Sequence, residues 1–432
     1  MKNRFRNPGL AVAALMVCGT GFAQQTQIVT LRDFNGNNTS AAAAASGSSG
    51  GASNFNFGAV SKVPTRALLG ASDTRIYAHL MPWFGSRGHI SVGYDSAGAE
   101  QIHRQVEDMV SRGIDGVIVY WTGASGSGNS AHTNEVALKL MKEAERHPGF
   151  QFAIQEDKQA LEECAKRGCD LTGELAADLQ YAAKTFFHSP AYMTTNGRPL
   201  LFFFGLEAYR NGINWDRVRA SVPGSPLFVF RNSVGFDYAQ SDGAFAWNAI
   251  DKLDPNDIGL KYLDNFYRVA GRHRGAISIG SVYAGFDDRR ASWGKGKIIN
   301  GNCGDTWLKT FSVARQNQGN LSAVQLVTWN DYEEGSQIEP GIDNCVSIQA
   351  AAAEGRLRWT ISGSQDTIHH FAVWAASDNH SFRLVSELPA SARSIGLADT
   401  GLTPGQYSFV VQAVGQPSML NHNTDPVQAT LP

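Results

Sequence analysis

The chain has little charge to spare. Thirty-seven Lys and Arg face 39 Asp and Glu over 432 residues, a net charge of −2, and no basic stripe runs through any segment. That excludes the electrostatic footprint of a nucleic-acid binder. Histidines at metal-ligand spacing are missing too: no His-x-x-x-His pair occurs, and none flanks the few cysteines. No glycine-rich phosphate loop follows the first predicted strand, which argues against nucleotide binding. Ser-His-Asp and Cys-His signatures are absent. Beyond the N-terminus no apolar run approaches the ~18 residues that a membrane span needs. What is present is 43% hydrophobic and 10% aromatic, enough for a sizeable core in about two domains.

The N-terminus reads as an export signal. Basic "MKNRFRN" precedes apolar "PGLAVAALMVCGTGF", and "GFA" before "QQTQ" supplies a small-residue cleavage site after Ala23. Val17 before Cys18 is the wrong residue for a lipoprotein site. A signal peptide over residues 1–23 and a secreted or periplasmic chain with no membrane anchor after cleavage are therefore expected. Residues 24–70, which include "NTSAAAAASGSSGGAS", read as a low-complexity linker. Four cysteines remain after the signal. An even count in an exported chain favours disulfides. Cys164–Cys169 and Cys303–Cys345 are the preferred pairs among three connectivities, with zinc binding as the rival.

From Arg75 onward short apolar runs alternate with helical patterns. "RIYAHLMPWF", "IDGVIVYW", "FQFAIQE", "PLLFFFGL", "PLFVFRN", "GAFAWNA", "GAISIGSVY" and "AVQLVTWN" read as strands. Helical stretches such as "SAGAEQIHRQVEDMVSRG" lie between most of them. Eight strands with intervening helices predict a (β/α)8 barrel over residues 71–348, with a doubly wound open sheet as the alternative. After that the period changes to two and helical stretches stop. Residues 349–432 are expected to form a small all-β sandwich, and "LTPGQYSFVVQAVG" resembles the late strands of a fibronectin type III module.

Barrel enzymes of this kind place their chemistry at the C-terminal ends of the strands. The residues that follow the apolar runs there are acids and indoles. The densest cluster is "LVTWNDYEEGSQIEP", with Asp331, Glu333, Glu334 and Glu339 in nine positions. Asn330, Asp331 and Gly335 favour a turn, on which positions three apart share a side. Asp331 and Glu334 would then enter one cleft as the carboxylate pair that glycoside hydrolysis requires, with Glu333 turned away. His79, Trp83, Trp121, Glu156, Trp247, Tyr283, Asp287, Trp329 and Tyr332 are the candidates for sugar contacts. A solvated acidic turn or a calcium site is the alternative for the cluster, and a salt bridge to Arg289 or Arg290 for Asp287.

The stretch "WNDYEEGSQIEP" is similar to the Asn-Glu-Trp-His-Glu-Gly-Thr-Gln-Ile-Glu pattern of glycoside hydrolase family 99, the endo-α-mannosidases and endo-α-mannanases. It also resembles the Trp-Asn-Asp-Tyr-Gly-Glu-Ser run of family 71, the α-1,3-glucanases. "YAHLMPWFGS", "GIDGVIVYWTG", "DLQYAAKTFFHSPAYMTTNGRPLLFFF" and "GFDDRR" extend the likeness over most of the barrel in the same order. The resemblance implies that Glu334 is the acid/base. It implies that Asp331 holds the position of the carboxylate that deprotonates the sugar's own 2-hydroxyl, one methylene shorter than in family 99 and as in family 71. Glu156 matches a substrate-contacting glutamate, and Glu333 replaces a histidine. A monomeric endo-acting glycoside hydrolase without cofactor or metal, acting on an α-glucan, α-mannan or bacterial exopolysaccharide, is the expected function. A non-catalytic carbohydrate-binding protein and an exopolysaccharide-processing factor are the competitors.

Overall fold

The computed structural model describes residues 59–70, 72–124, 128–209, 211–248 and 257–432. The expected signal peptide and residues 24–58 of the expected linker lie outside the described residues. Residues 59–70 are folded: Val60 bridges to Leu420, and the Arg66 guanidinium grips both oxygens of Asp115.

Eight parallel strands close a barrel. They are β1 (Arg75–Leu80), β2 (Gly116–Trp121), β3 (Gln151–Asp157), β4 (Arg198–Phe204), β5 (Leu227–Arg231), β6 (Gly243–Phe245), β7 (Ile277–Val282) and β8 (Ala323–Leu326). They pair in the order β3-β2-β1-β8-β7-β6-β5-β4, and β4 pairs back onto β3. The runs are β-branched and aromatic, and β2 is buried at every position. The helices that cover the outside are α1 (Ala99–Ser111), α2 (Asn129–Ala144), α3 (Gln159–Arg167), α4 (Leu171–Thr185), α5 (Trp215–Ser221), α6 (Leu260–Ala270) and α7 (Asp305–Gln316). Between β5 and β6 a 3-10 turn, Ser233–Asp237, stands in place of a helix. Among the described residues no helix is long and apolar enough to cross a membrane.

Register decides which side chains look inward, because paired residues of parallel strands share a face. Tyr77 pairs with Gln325 and Gly116, His79 with Ile118, Tyr120 with Gln155, Gln155 with Phe202, and Ser281 with Gln325. Continuing the alternation puts His79, Tyr120, Gln155, Asp157, Phe204, Arg231, Trp247, Ser281 and Gln325 inside. Their alternates, Trp121, Glu156 and Phe203, face the helices.

The C-terminal region comprises β9 (Ser347–Ala353), β10 (Arg356–Ser362), β11 (Ile368–Ala376), β12 (Arg383–Pro389), β13 (Ser394–Gly396), β14 (Gly405–Gly415), β15 (His422–Asn423) and β16 (Val427–Leu431). One antiparallel sheet is β9-β10-β13. The other is β12-β11-β14-β15, with β16 also on β14. Leu357, Trp359, Phe371, Val373, Phe409 and Val411 fill the space between them. The loop after β14 reaches back into the barrel domain. Met419 is fully buried in the barrel's own core, the Ser61 N–H donates to its carbonyl at 2.8 Å, and Trp307 Nε1 donates to Pro417 O at 3.1 Å. Both expected disulfides are present, Cys164–Cys169 and Cys303–Cys345.

Candidate active site

The chain leaves β8 into a turn that is held from several directions. Asn330 Oδ1 accepts from Met81 N at 2.8 Å and Nδ2 donates to Met81 O at 2.9 Å, which ties the turn to the end of β1. The Asp331 N–H donates to Thr328 Oγ1 at 2.9 Å. Asp331 Oδ1 accepts from Glu333 N at 3.1 Å and Glu334 N at 2.9 Å, so the side chain caps the turn it begins. Gly335 closes it at φ 60°, where an added Cβ would stand 3.0 Å from Asp287. Only glycine accommodates both conditions.

This turn sends its carboxylates in different directions. Glu333 reaches the β1–α1 loop, where Oε2 meets His89 Nδ1 at 2.8 Å and Oε1 accepts from Ile90 N at 3.1 Å. Glu339 goes into the core, taking hydrogen bonds from Tyr94 (3.0 Å), Tyr332 (2.9 Å) and Gln105 (2.9 Å), and burial pushes its pKa up to about 7. Glu334 is half-buried at the barrel mouth, where Oε1 accepts from Trp293 Nε1 at 2.9 Å. Asp331 lies fully buried, and its Oδ2 meets no hydrogen-bond donor. Burial, and then the charge of Glu334, raise the Asp331 pKa well above the usual carboxylate range. Burial also raises that of Glu334, helped by Asp288 and Glu333 and opposed by the Trp293 N–H.

A chain of aromatic contacts runs from Trp293, the hydrogen-bond partner of Glu334. Trp293 meets Trp83 edge-on at 5.9 Å, Trp83 stacks on His89 at 4.9 Å with its plane tilted by 8°, and Trp83 meets Tyr120 at 4.9 Å. Across the barrel His79 contacts Trp247 at 4.7 Å, Trp247 contacts Phe204 at 4.9 Å, and the Arg231 guanidinium lies over Phe204 at 4.1 Å. Arg231 pairs with Glu207. Burial pushes the Asp157 pKa up to about 7, against the pull of Gln159 N–H, Lys158 and Arg231. Burial drives the His79 pKa down to about 3, so the ring is neutral. Gln325 leans toward that ring, but neither His79 nitrogen reaches hydrogen-bonding geometry. Among the described residues several other inward polar atoms share this state: Gln155 Oε1, Ser281 Oγ, Gln325 Oε1, Arg231 Nε, and both polar atoms of the Asn248 amide after β6. Buried polar atoms without partners are rare, and here they collect in the upper barrel.

Of the residues expected at the site, His79, Trp83, Trp247, Asp331 and Glu334 come together. The others do not. Trp121 faces α2 and α4, donating to Asn134 at 3.1 Å and stacking on Tyr181. Glu156 also points away from the barrel axis, toward α4, where burial and the charges of Asp178 and Asp157 hold its pKa far up. Tyr283 is buried and donates to Ile258 O at 2.9 Å. Trp329 is buried beneath the Arg112 guanidinium at 4.9 Å, and Tyr332 donates to Glu339. Asp287 is held by Arg289 through bonds of 2.8 and 2.5 Å, which lowers its pKa. Trp293, His89, Tyr120 and Arg231 were not anticipated, and Asp157, which follows the third apolar run, reads from sequence only as a strand-end acid beside the favoured Glu156. The tryptophan in "RRASWGKGK", in a polar loop after the seventh strand, was a legible signal. A cavity of about 540 Å³ lies beside the mouth, lined by Glu207, Trp215, Asp216 and Tyr238 among others, and contains neither Glu334 nor Asp331.

No protein-family model matches the chain, and no curated protein matches it. Among solved structures, one described as a "Glycoside hydrolase-like protein" overlaps with a TM-score of 0.47 at 12% identity, covering 62% of this chain and 87% of its own. An engineered protein overlaps with a TM-score of 0.39 at 12% identity, covering 86% of this chain and 97% of its own.

Proposed function

We propose that this chain is an exported, monomeric, endo-acting glycoside hydrolase that cleaves an α-linked polysaccharide at the barrel mouth without a catalytic metal or cofactor. Glu334 is the acid that protonates the leaving oxygen, and Asp331 is the second carboxylate. The observation that carries this reading is the state of Glu334. It is half-buried against Trp293, which in turn meets Trp83 and His89, and burial shifts its pKa upward, the direction that a general acid needs. Indole faces suit the apolar faces of sugar rings, and the unpartnered polar atoms below suit a ligand rich in hydroxyls. The divergence of Glu333 toward His89 fits the role assigned to its neighbour. The likeness of "WNDYEEGSQIEP" to families 71 and 99 supports an α-glucan, an α-mannan or a bacterial exopolysaccharide as substrate. Two disulfides agree with export. The pairing of β9-β10-β13 against β12-β11-β14-β16 supports a fibronectin type III-like accessory module.

A second reading is favoured by the burial of Asp331. Its side chain is fully enclosed and one oxygen already holds two backbone amides, which suits a carbohydrate-binding barrel that no longer cleaves. Incubation with α-glucans, α-mannans and exopolysaccharides, with product analysis, separates the two. Cleavage to oligosaccharides is expected. In Glu334→Gln it should fall by at least about a hundredfold on polymer and less on a nitrophenyl glycoside, whose leaving group hardly needs a proton. Asp331→Asn should abolish both activities. Binding without cleavage by the native chain would establish the second reading.

A further inference from the structure

We propose that α1 and the end of α2 with its following turn carry a structural site for a zinc-type divalent cation, formed by His103, Glu143 and His147 on the outer surface of the barrel.

Three donors converge there from α1, the end of α2 and the turn that follows it. His103 stands on α1, Glu143 in the last turn of α2, and His147 in the turn three residues beyond the end of that helix. Glu143 Oε1 sits between the two rings, 2.8 Å from His103 Nδ1 and 2.9 Å from His147 Nε2. Glu107 Oε1 lies 3.7 Å from the same His147 nitrogen. The His103, Glu143 and His147 ligand atoms all lie within 4.8 Å of one another. Nitrogen and oxygen ligands at ~2.0–2.1 Å from a tetrahedral zinc stand about 3.3–3.4 Å apart. The observed separations straddle that edge, so small side-chain rotations suffice to place an ion at the centre.

The chemistry of the donors is mixed imidazole and carboxylate, which suits zinc better than the all-oxygen shells that magnesium and calcium take. The Glu143 side chain is only 6% exposed and that of His147 16%, so the site is rooted in the helix interface with His103 as its open side. Arg146 Nη1 holds the second oxygen of Glu143 at 3.0 Å, which orients the carboxylate and leaves Oε1 directed at the rings. Glu143 supplies the one anionic ligand, with Lys139, Lys142 and Arg146 on the same face, and water would take the fourth position of the shell. The cation would clip α1 to α2, which is a structural role independent of the chemistry at the mouth.

The test uses the full chain stripped with EDTA. Titration with cobalt(II) is expected to give intense visible bands of a four-coordinate site that saturate at one equivalent and vanish when zinc(II) is added. Zinc should also raise the thermal unfolding temperature, whereas magnesium should not. His103→Gln and His147→Gln should each weaken cobalt and zinc binding by more than about tenfold. His380→Gln, in an exposed turn of the sandwich, should leave both signals unchanged. The absence of a four-coordinate cobalt spectrum, or the same spectrum and thermal shift in His103→Gln and His147→Gln, would overturn the site and leave a hydrogen-bonded helix staple.

Discussion

At Glu334 two neighbours push the proton affinity in opposite directions, and each push is separately removable. The Trp293 N–H donates to the carboxylate and favours its charged form. Trp293→Phe should therefore raise the Glu334 pKa and move the alkaline limb of the pH–rate profile upward. Asp288 acts the other way, its negative charge disfavouring a second one. Asp288→Asn, which removes the charge and keeps an acceptor oxygen for the loop amides, should move the same limb downward. Opposite shifts of one limb, measured as kcat against pH on one polymer, would tie that limb to Glu334. Asp157 affords a stability test. Its folded pKa, about 7, stands above the ~3.9 of an unfolded aspartate, so the native state holds a proton that the unfolded chain has released. That contribution is fully present below pH ~4 and is lost as pH rises through about 7. Asp157→Asn keeps an acceptor for Gln159 N–H and removes the titration. It should flatten the pH dependence of chemical denaturation between about pH 4 and 7, and stabilise the protein at pH 8 by at most about 4 kcal/mol.

Loops and strands obey a different logic from single side chains. The segment that carries Trp293 is closed by Asp288, whose carboxylate accepts from Lys295 N at 3.0 Å and Lys297 N at 2.7 Å. In Asp288→Ala both amides lose that partner, at a cost of about 1–3 kcal/mol for the buried clamp. Limited proteolysis within residues 289–296 should accelerate, and KM for polymer should rise as Trp293 loses its place. Unchanged cleavage rates in that segment would show that the clamp does not hold the loop. Strand parity explains which expectations survived. Positions 120 and 121, and 156 and 157, each end a strand, and the apolar runs alone do not say which member faces inward. The reading favoured Trp121 and Glu156, and the register placed Tyr120 and Asp157 inside. A fully buried strand carries no alternation to reveal its inner face. The turn after β8 was legible because Asn, Asp and Gly have local conformational preferences that need no partner strand.

On the scale of the whole molecule, two features bind the barrel to the sandwich. Cys303–Cys345 closes 42 residues from the start of α7 to the first strand of the sandwich. On a chain-entropy estimate, replacing both cysteines by serine should cost about 4 kcal/mol, read as a lower denaturation midpoint under oxidising conditions. Met419 fills a fully buried position in the barrel core from the sandwich side. Met419→Ala should cost about 2–5 kcal/mol and uncouple the two regions. A chain ending near Ala350 would lose this plug and the backbone bonds from Ile342 to the 418–420 loop. It is therefore expected to be less stable than the intact chain, with specificity unchanged where it folds, because the residues of the mouth all precede Cys345.

The order of strands and helices, the change to a two-residue period near residue 349, the expectation of disulfides and the turn-forming character of 330–335 follow from sequence alone, because each rests on local pattern, parity of count or short-range preference, whereas the structure selects the two preferred pairs among three. The sequence also brought Glu334 forward, through its place after the last apolar run. Which acids of the cluster share a space was decided only by tertiary contacts. Glu333 is drawn to His89 from a loop 244 positions away, and Glu339 to Tyr94 and Gln105, leaving Glu334 to the mouth. Barrel closure sets the remainder. It fixes the register, and the register fixes the inward face, so Tyr120, Asp157 and Arg231 look into the barrel, while Trp293 reaches Glu334 from the loop after β7.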